Sequence, residues 1–128
     1  MEIIIRPLSG RGLDIRIEYI KDDIHVHWGK AKFKIKKSVI EEIMSNFFKD
    51  KDEWYPLGAC IDNPMKYGLG EYITKEHNLT PKHASVIAAI MCKEGLIEFR
   101  GKRPIELKFI QRNMFLRDNM KNYIMDKS

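Results

Sequence analysis

The most constraining feature of this chain is the spacing of helix-ending and turn-forming residues between residues 69 and 109. Asn78 can take the left-handed conformation that ends a helix, and Pro81 suits the first position of a new helix, where its missing N–H costs nothing. Gly95 ends that second helix, and residues 100–104 form a turn between two apolar strands. The pattern predicts a short helix, a turn, a longer helix and a basic hairpin.

Residues 2–36 have the pattern of a small antiparallel sheet. Apolar and polar residues alternate from Leu13 to Tyr19 and again from Ile24 to Trp28, as half-buried strands require. His25 and His27 are expected on the exposed face. Their spacing alone does not predict a metal site, because zinc needs three or four ligands.

A third strand is predicted after Gly29, with lysines at every second position: Lys30, Lys32, Lys34 and Lys36. All four ammonium groups would share one face, since side chains alternate across a strand. Such a row could follow a phosphate backbone. It could equally protect an edge strand against pairing with another sheet.

Ser38 and Glu41 have the spacing of a capping box, and an apolar stripe continues from there to about Lys49, which predicts a core helix. Residues 50–67 lose this periodicity. Trp54 and its neighbours could stack on unpaired bases, or they could pack against the sheet with a short strand near residues 55–57.

Two segments resemble the winged helix-turn-helix superfamily: Leu79-Thr80-Pro81-Lys82-His83-Ala84-Ser85 opens the second helix, and Lys93-Glu94-Gly95-Leu96-Ile97-Glu98 closes it. The resemblance covers residues 69–109, with the Ser38 helix as the first of three. It implies a winged helix-turn-helix over residues 38–109. With the sheet pattern before it (1–37) and the helical spacing after it (110–128), the prediction is an α+β fold: an N-terminal antiparallel sheet, a winged helix-turn-helix and a C-terminal helix, in a single compact unit.

The resemblance also implies a DNA-binding transcriptional regulator. The start of the recognition helix would meet the major groove and its phosphates through Thr80, Lys82, His83 and Ser85. The hairpin, called the wing in this superfamily, would contact the DNA backbone through Arg100, Lys102 and Arg103.

Composition fits a polyanionic partner. The net charge is +5 and the pI about 9.2, which favours double-stranded DNA. The apolar repeats of residues 110–128 fit either a homodimer seam or a helix folded back on its own domain. We expect a cytoplasmic protein without a membrane segment or a cofactor.

One feature favours a different partner. The second helix carries Val86, Ala89 and Ile90 on the side where DNA-binding proteins often present polar residues. A helix that is apolar all round is normally buried on both sides. A winged helix that binds another protein, without DNA, is therefore the alternative hypothesis.

An enzyme is not expected. Glu106 and Lys108 have the form of half a metal-dependent nuclease site, which would need Asp62 or Asp14 as a further carboxylate. Alternating charges are common on the exposed face of a hairpin. A nuclease is therefore the minor alternative, and no catalytic or metal-binding residue is predicted.

Overall fold

The computed structural model describes residues 2–59 and 67–111. Within these residues an antiparallel four-stranded sheet is followed by three helices and a smaller sheet, so the predicted α+β fold with an N-terminal sheet is confirmed. The helices are α1 (Lys37–Asn46), α2 (Leu69–His77) and α3 (His83–Lys93). The strands are β1 (Glu2–Ile5), β2 (Ile15–Ile20), β3 (Asp23–Trp28), β4 (Ala31–Lys36), β5 (Tyr55–Pro56), β6 (Ile97–Arg100) and β7 (Glu106–Phe109). Most of the predicted C-terminal helix, from residue 112 onward, lies outside the described residues.

The first sheet is a meander in which each strand pairs with the next, from β1 to β4. The register aligns Ile17, Val26 and Phe33 across three strands, so the alternating residues share one face. That face is buried in the core and includes Ile15, Ile17, Ile24, Val26 and Ile35. The opposite face carries His25, His27 and the β4 lysines.

Helix α1 begins where β4 ends. Lys36 is the residue before the first helical turn, and the Lys37 amide donates to the Asp22 carbonyl at 2.8 Å. The predicted capping box of Ser38 and Glu41 is therefore wrong: Ser38 lies inside the helix, and no side chain caps it. The strand's own hydrogen bonding carries the chain into the helix, which ends at Asn46 rather than near Lys49.

The turn between α2 and α3 begins at Asn78, the residue that the sequence predicts to end the first helix. Asn78 has φ 55°, in the left-handed region, and its amide donates to the Ile73 carbonyl. Thr80 and Pro81 lie in a tight turn before the helix, since the amide of His83 bonds to the Thr80 carbonyl. The helix thus starts a short turn later than predicted, a difference within the usual spread of helix assignments.

Gly95 ends α3 as predicted. Its φ is 73°, and the next amide, that of Leu96, reaches back to the Met91 carbonyl at 2.9 Å. This pattern satisfies the last carbonyl groups of the helix and turns the chain into β6.

The smaller sheet has the order β5-β7-β6, so its middle strand is the last in sequence. The predicted short strand after Trp54 is β5, and Leu57 continues the contact by donating to the Ile105 carbonyl at 2.9 Å. Gly70 of α2 lies against this segment so closely that an added Cβ would come within 2.0 Å of the Gly58 carbonyl oxygen.

Helix α3 is the central element of the core. It contacts β1 of the first sheet, α2 and β6. Its buried residues are Ala84, Val86, Ile87, Ala88, Ala89, Ile90 and Met91. In the part of the chain that the structure describes, no helix has the length and apolar character needed to cross a bilayer.

Candidate nucleic-acid interface

The first sheet covers the side of α3 that the winged-helix resemblance turns toward DNA. Phe33 packs edge-on against His83 at the start of the helix, with ring centres 4.5 Å apart. At the other end, the Tyr19 hydroxyl donates to Glu94 Oε2 at 3.1 Å. The middle of α3 offers no exposed side chain, so recognition of bases along this helix does not fit the structure.

The protein-interaction hypothesis depends on an exposed apolar face of α3, and the structure shows that this face is buried. Val86 and Ile90 are fully buried within their own chain, and Ala89 is buried as well. The apolar outer face of α3 is thus a second core face, and it is not a docking surface. The sequence indicated burial on both sides, and the covering layer is the N-terminal sheet.

Of the DNA-binding residues predicted on the recognition helix, those before its first turn are the most accessible. Thr80 and Lys82 are exposed, whereas His83 and Ser85 are half-buried. The Thr80 amide donates to His83 Nδ1 at 3.3 Å, and the Thr80 hydroxyl lies 2.8 Å from the same atom. Burial lowers the pKa of His83 below its usual value, against a smaller raising effect of the hydrogen bond to the Thr80 backbone. The neutral imidazole is therefore favoured.

These accessible residues open onto a cleft between the β3–β4 turn and the start of α3. Its volume is about 510 Å³, and its lining includes Trp28, Lys30, Phe33, Thr80, Lys82 and His83. Three predicted DNA-binding residues and the first lysine of the β4 row thus meet at one site. Trp28 is fixed there, because its Nε1 donates to the Leu13 carbonyl at 3.1 Å. We call this site the Trp28 cleft.

The remaining lysines of the row line the outer edge of the first sheet. Strand β4 is an edge strand, as the aggregation-protection hypothesis requires, and Lys32, Lys34 and Lys36 are exposed on it. Across the sheet, Lys34 is aligned with His25, Glu18 and Glu2. In this cross-strand row the charge changes from acidic at β1 and β2 to basic at β4, and the basic row of β4 lies along one edge of the sheet.

The three cations predicted to contact DNA from the β6–β7 hairpin differ in their partners. Arg100 is exposed but has partners in its own chain: its Nε donates to Glu106 Oε1 at 2.9 Å, and its guanidinium lies 4.2 Å from the Trp54 ring centre. Lys102 and Arg103 are exposed in the turn, and neither has an ion-pair partner within the described residues. Arg100 thus already has a carboxylate and an aromatic partner, and its contact with a DNA phosphate stays a prediction.

Trp54 itself lies on the hairpin's outer face. The Lys108 ammonium is 5.6 Å from its ring centre, on the same strand pair as Arg100. The short strand predicted in residues 50–67 is confirmed as β5, and Trp54, which is half-buried, contacts Arg100 and Lys108 of the hairpin; stacking on bases stays a prediction. Residues 60–66 lie outside the described residues.

A polar cluster that the sequence did not suggest joins α1 to α2. Glu42 accepts hydrogen bonds from Tyr72 and Asn46 and contacts His77 Nε2. Partial burial opposes ionisation, yet these hydrogen bonds together hold the pKa of Glu42 below its usual value. Burial and the neighbouring carboxylate raise the pKa of Tyr72. Glu42 and Asn46 are one helical turn apart, but only the fold brings Tyr72 and His77 to them.

The residues of the nuclease hypothesis are engaged elsewhere. Glu106 is paired with Arg100, and Asp14 is paired with Arg6 at 2.8 Å. Asp62 lies outside the described residues. Among the described residues there is no group of three carboxylate, imidazole or thiol side chains placed to hold a metal ion, and His25 and His27 form no such group.

Comparisons with protein-family models, with curated proteins and with solved structures found no match for this chain. The functional argument therefore depends on the geometry of the molecule's own surfaces.

Proposed function

We propose that residues 38–109 form a winged helix-turn-helix and that the protein binds double-stranded DNA, as a transcriptional regulator, through the phosphate backbone. The observation that carries this proposal is a pair of exposed cations, Lys102 and Arg103, at the tip of the β6–β7 hairpin, without an ion-pair partner in the described part of the chain. Two cations on a tight hairpin turn suit a duplex backbone, because they can approach phosphates without a groove-sized surface around them.

The order of elements supports the winged-helix assignment. Helix α1, strand β5, helices α2 and α3 and the β6–β7 hairpin follow one another as the resemblance implies. The sheet order β5-β7-β6 places the hairpin beside the short strand that follows α1. This arrangement supports the hairpin as the wing of the proposed fold.

The burial of α3 sets the mode of contact. With the first sheet over its outer face, the helix cannot enter a major groove, so binding would depend on charge and shape more than on base sequence. The exposed lysines of β4 add a second row of positive charge along a sheet edge. Both surfaces are of the kind that neutralises phosphates and releases counterions.

The test is a salt titration of duplex binding with the double variant Lys102→Ala/Arg103→Ala. We expect weaker binding to specific and random duplexes alike, because phosphate contacts carry no sequence information. The slope of log affinity against log salt should fall by about 0.9 for each phosphate that the variant no longer neutralises.

The matched control is Lys49→Ala/Lys75→Ala, which removes the same charge from exposed positions in and before α2. It should lower the affinity only through net charge and leave most of the slope unchanged. An equal decrease of slope in both variants would overturn the hairpin as the contact site, and binding that does not respond to salt would overturn the proposal as a whole.

A further inference from the structure

The Trp28 cleft is a gap in the packing of the first sheet on α3. Residues 86–91 of α3 are buried, but at the start of the helix the sheet meets α3 through the edge-on rings of Phe33 and His83. The volume that remains, about 510 Å³, lies in the range of small-molecule sites. The cleft is therefore large enough to enclose a compact ligand.

Its walls suit a planar ring. Trp28 and Phe33 are both half-buried, so each presents ring surface that the core does not use. The His83 imidazole, held by Thr80 and by the edge-on contact with Phe33, adds a third aromatic wall. Aromatic side chains with open faces favour stacking of planar groups, and bases are the common example in proteins that bind polyanions.

Its charge suits an anion. Lys30 and Lys82 lie at the cleft, and no carboxylate lines it among the described residues. The Lys82 ammonium is 5.9 Å from the Trp28 ring centre, which is the outer limit of a cation–π contact. It can therefore turn to a phosphate beside a stacked ring at little cost.

We infer that the Trp28 cleft binds a planar aromatic ring that carries a phosphate, as a mononucleotide does, with the ring against Trp28 and Phe33 and the phosphate at Lys30 and Lys82. This chemistry has two sources: a free nucleotide, or the unpaired end of a nucleic-acid strand. Ligand binding here is independent of the proposed duplex binding, because the residues of the hairpin turn are not part of the cleft.

The experiment uses Trp28 as its own reporter. The chain has two tryptophans, so the full-length Trp54→Phe variant leaves Trp28 as the single tryptophan, which can be excited selectively at the red edge of its absorption. Titration with adenosine monophosphate should change its fluorescence in a saturable way. Adenosine and inorganic phosphate, which each supply half of the chemistry, should bind more weakly by about tenfold or more, the effect of removing one charged or stacking interaction.

Two further variants assign the contacts. In the Trp54→Phe background, Lys82→Gln should lower the affinity for adenosine monophosphate by about tenfold, the value of a hydrogen bond to a charged group. Lys75→Gln, which changes an exposed lysine of α2, is the matched control and should leave the affinity unchanged. Circular dichroism on each variant checks that the fold is retained.

The outcomes separate the two sources. Saturable binding of adenosine monophosphate that weakens in Lys82→Gln assigns the cleft to free nucleotides. Binding of a terminally phosphorylated oligoadenylate alone, with the same dependence on Lys82, assigns it to a strand end. Binding of neither ligand up to millimolar concentration, or equal affinity in Lys82→Gln and Lys75→Gln, overturns the inference. The salt titration of Lys102→Ala/Arg103→Ala tests the hairpin proposal separately, because neither of those residues lines the cleft.

Discussion

The two ends of α3 meet the same sheet in different ways. At the C-terminal end, the Tyr19 hydroxyl donates to Glu94, and the Lys93 ammonium lies 5.7 Å from the Tyr19 ring centre and 3.0 Å from Glu94. At the N-terminal end, Phe33 packs by ring edge on His83, and the Trp28 cleft remains open. The C-terminal end is closed by polar groups that bond to each other. The N-terminal end stays open, because the aromatic rings that line it are only partly buried.

This difference assigns stability and ligand binding to different parts of α3: the buried residues stabilise the fold, and the N-terminal end offers surface to a ligand. Between the two ends, the apolar residues of α3 are buried and have no surface to offer a partner. Half-exposed aromatic rings supply apolar surface at the N-terminal end, and such surface gains free energy when a ligand covers it. At the C-terminal end, Tyr19 and Lys93 already bond to Glu94 within the chain.

The largest expected effect tests the middle of the helix. Ile90→Asp should cost more than about 4 kcal/mol and unfold the protein, because it places a charge in the core without a partner. Ser45→Asp, at an exposed position on α1, is the control and should change the stability by less than about 0.5 kcal/mol. Urea unfolding followed by circular dichroism measures both. A folded Ile90→Asp protein that no longer binds a partner would mean that α3 is exposed, as the protein-interaction hypothesis required.

The resemblance turned one face of α3 toward DNA, whereas the apolar residues on that face indicated burial. The apolar residues of α3 continue around the helix, which indicated cover on two sides, and the alternation of residues 13–28 predicted a sheet with one apolar face. No local sequence pattern predicts that the apolar face of the sheet packs on α3. The local signals that depend on single residues were confirmed, namely the left-handed Asn78 and the helix-ending Gly95.

Signals that compete with tertiary structure were less reliable. Ser38 has the spacing of a cap, but the hydrogen bonds of β4 continue to the helix and leave Ser38 inside it. The candidate site shows the same limit. Lys30 and Lys82 were both singled out as basic residues, yet their meeting at one cleft depends on how the sheet packs on α3, which no local pattern encodes.

The next effect compares the two ends directly. Tyr19→Phe removes the hydrogen bond to Glu94 and should cost about 1 kcal/mol, since the acceptor is charged and partly buried. Lys82→Gln, at the open end, removes a distant cation–π contact and should cost less than about 0.5 kcal/mol. Thermal unfolding at neutral pH ranks the two. Equal costs would mean that the open end is packed as tightly as the closed one.

The smallest effect is a pH dependence at the open end. Because burial lowers the pKa of His83, the unfolded chain takes up a proton at a higher pH than the folded protein does. The stabilising contribution of the neutral ring is therefore complete above the ordinary histidine pKa of about 6.5 and is lost as the pH falls from there toward the lower folded value. Lys30 and Lys82 are the charged groups that share the cleft with His83.

His83→Asn should flatten this part of the stability profile. Urea unfolding between neutral and mildly acidic pH, compared between the variant and the original chain, isolates the contribution of His83 from those of His25, His27 and His77, which both chains share. Adenosine monophosphate would sharpen the result: a phosphate bound in the Trp28 cleft favours the protonated ring and raises its folded pKa, so the ligand should reduce the loss of stability on acidification. Parallel stability profiles for the variant and the original chain would mean that the pKa of His83 is the same in the folded and unfolded states. The ring would then be as well solvated in the folded protein as in the unfolded chain.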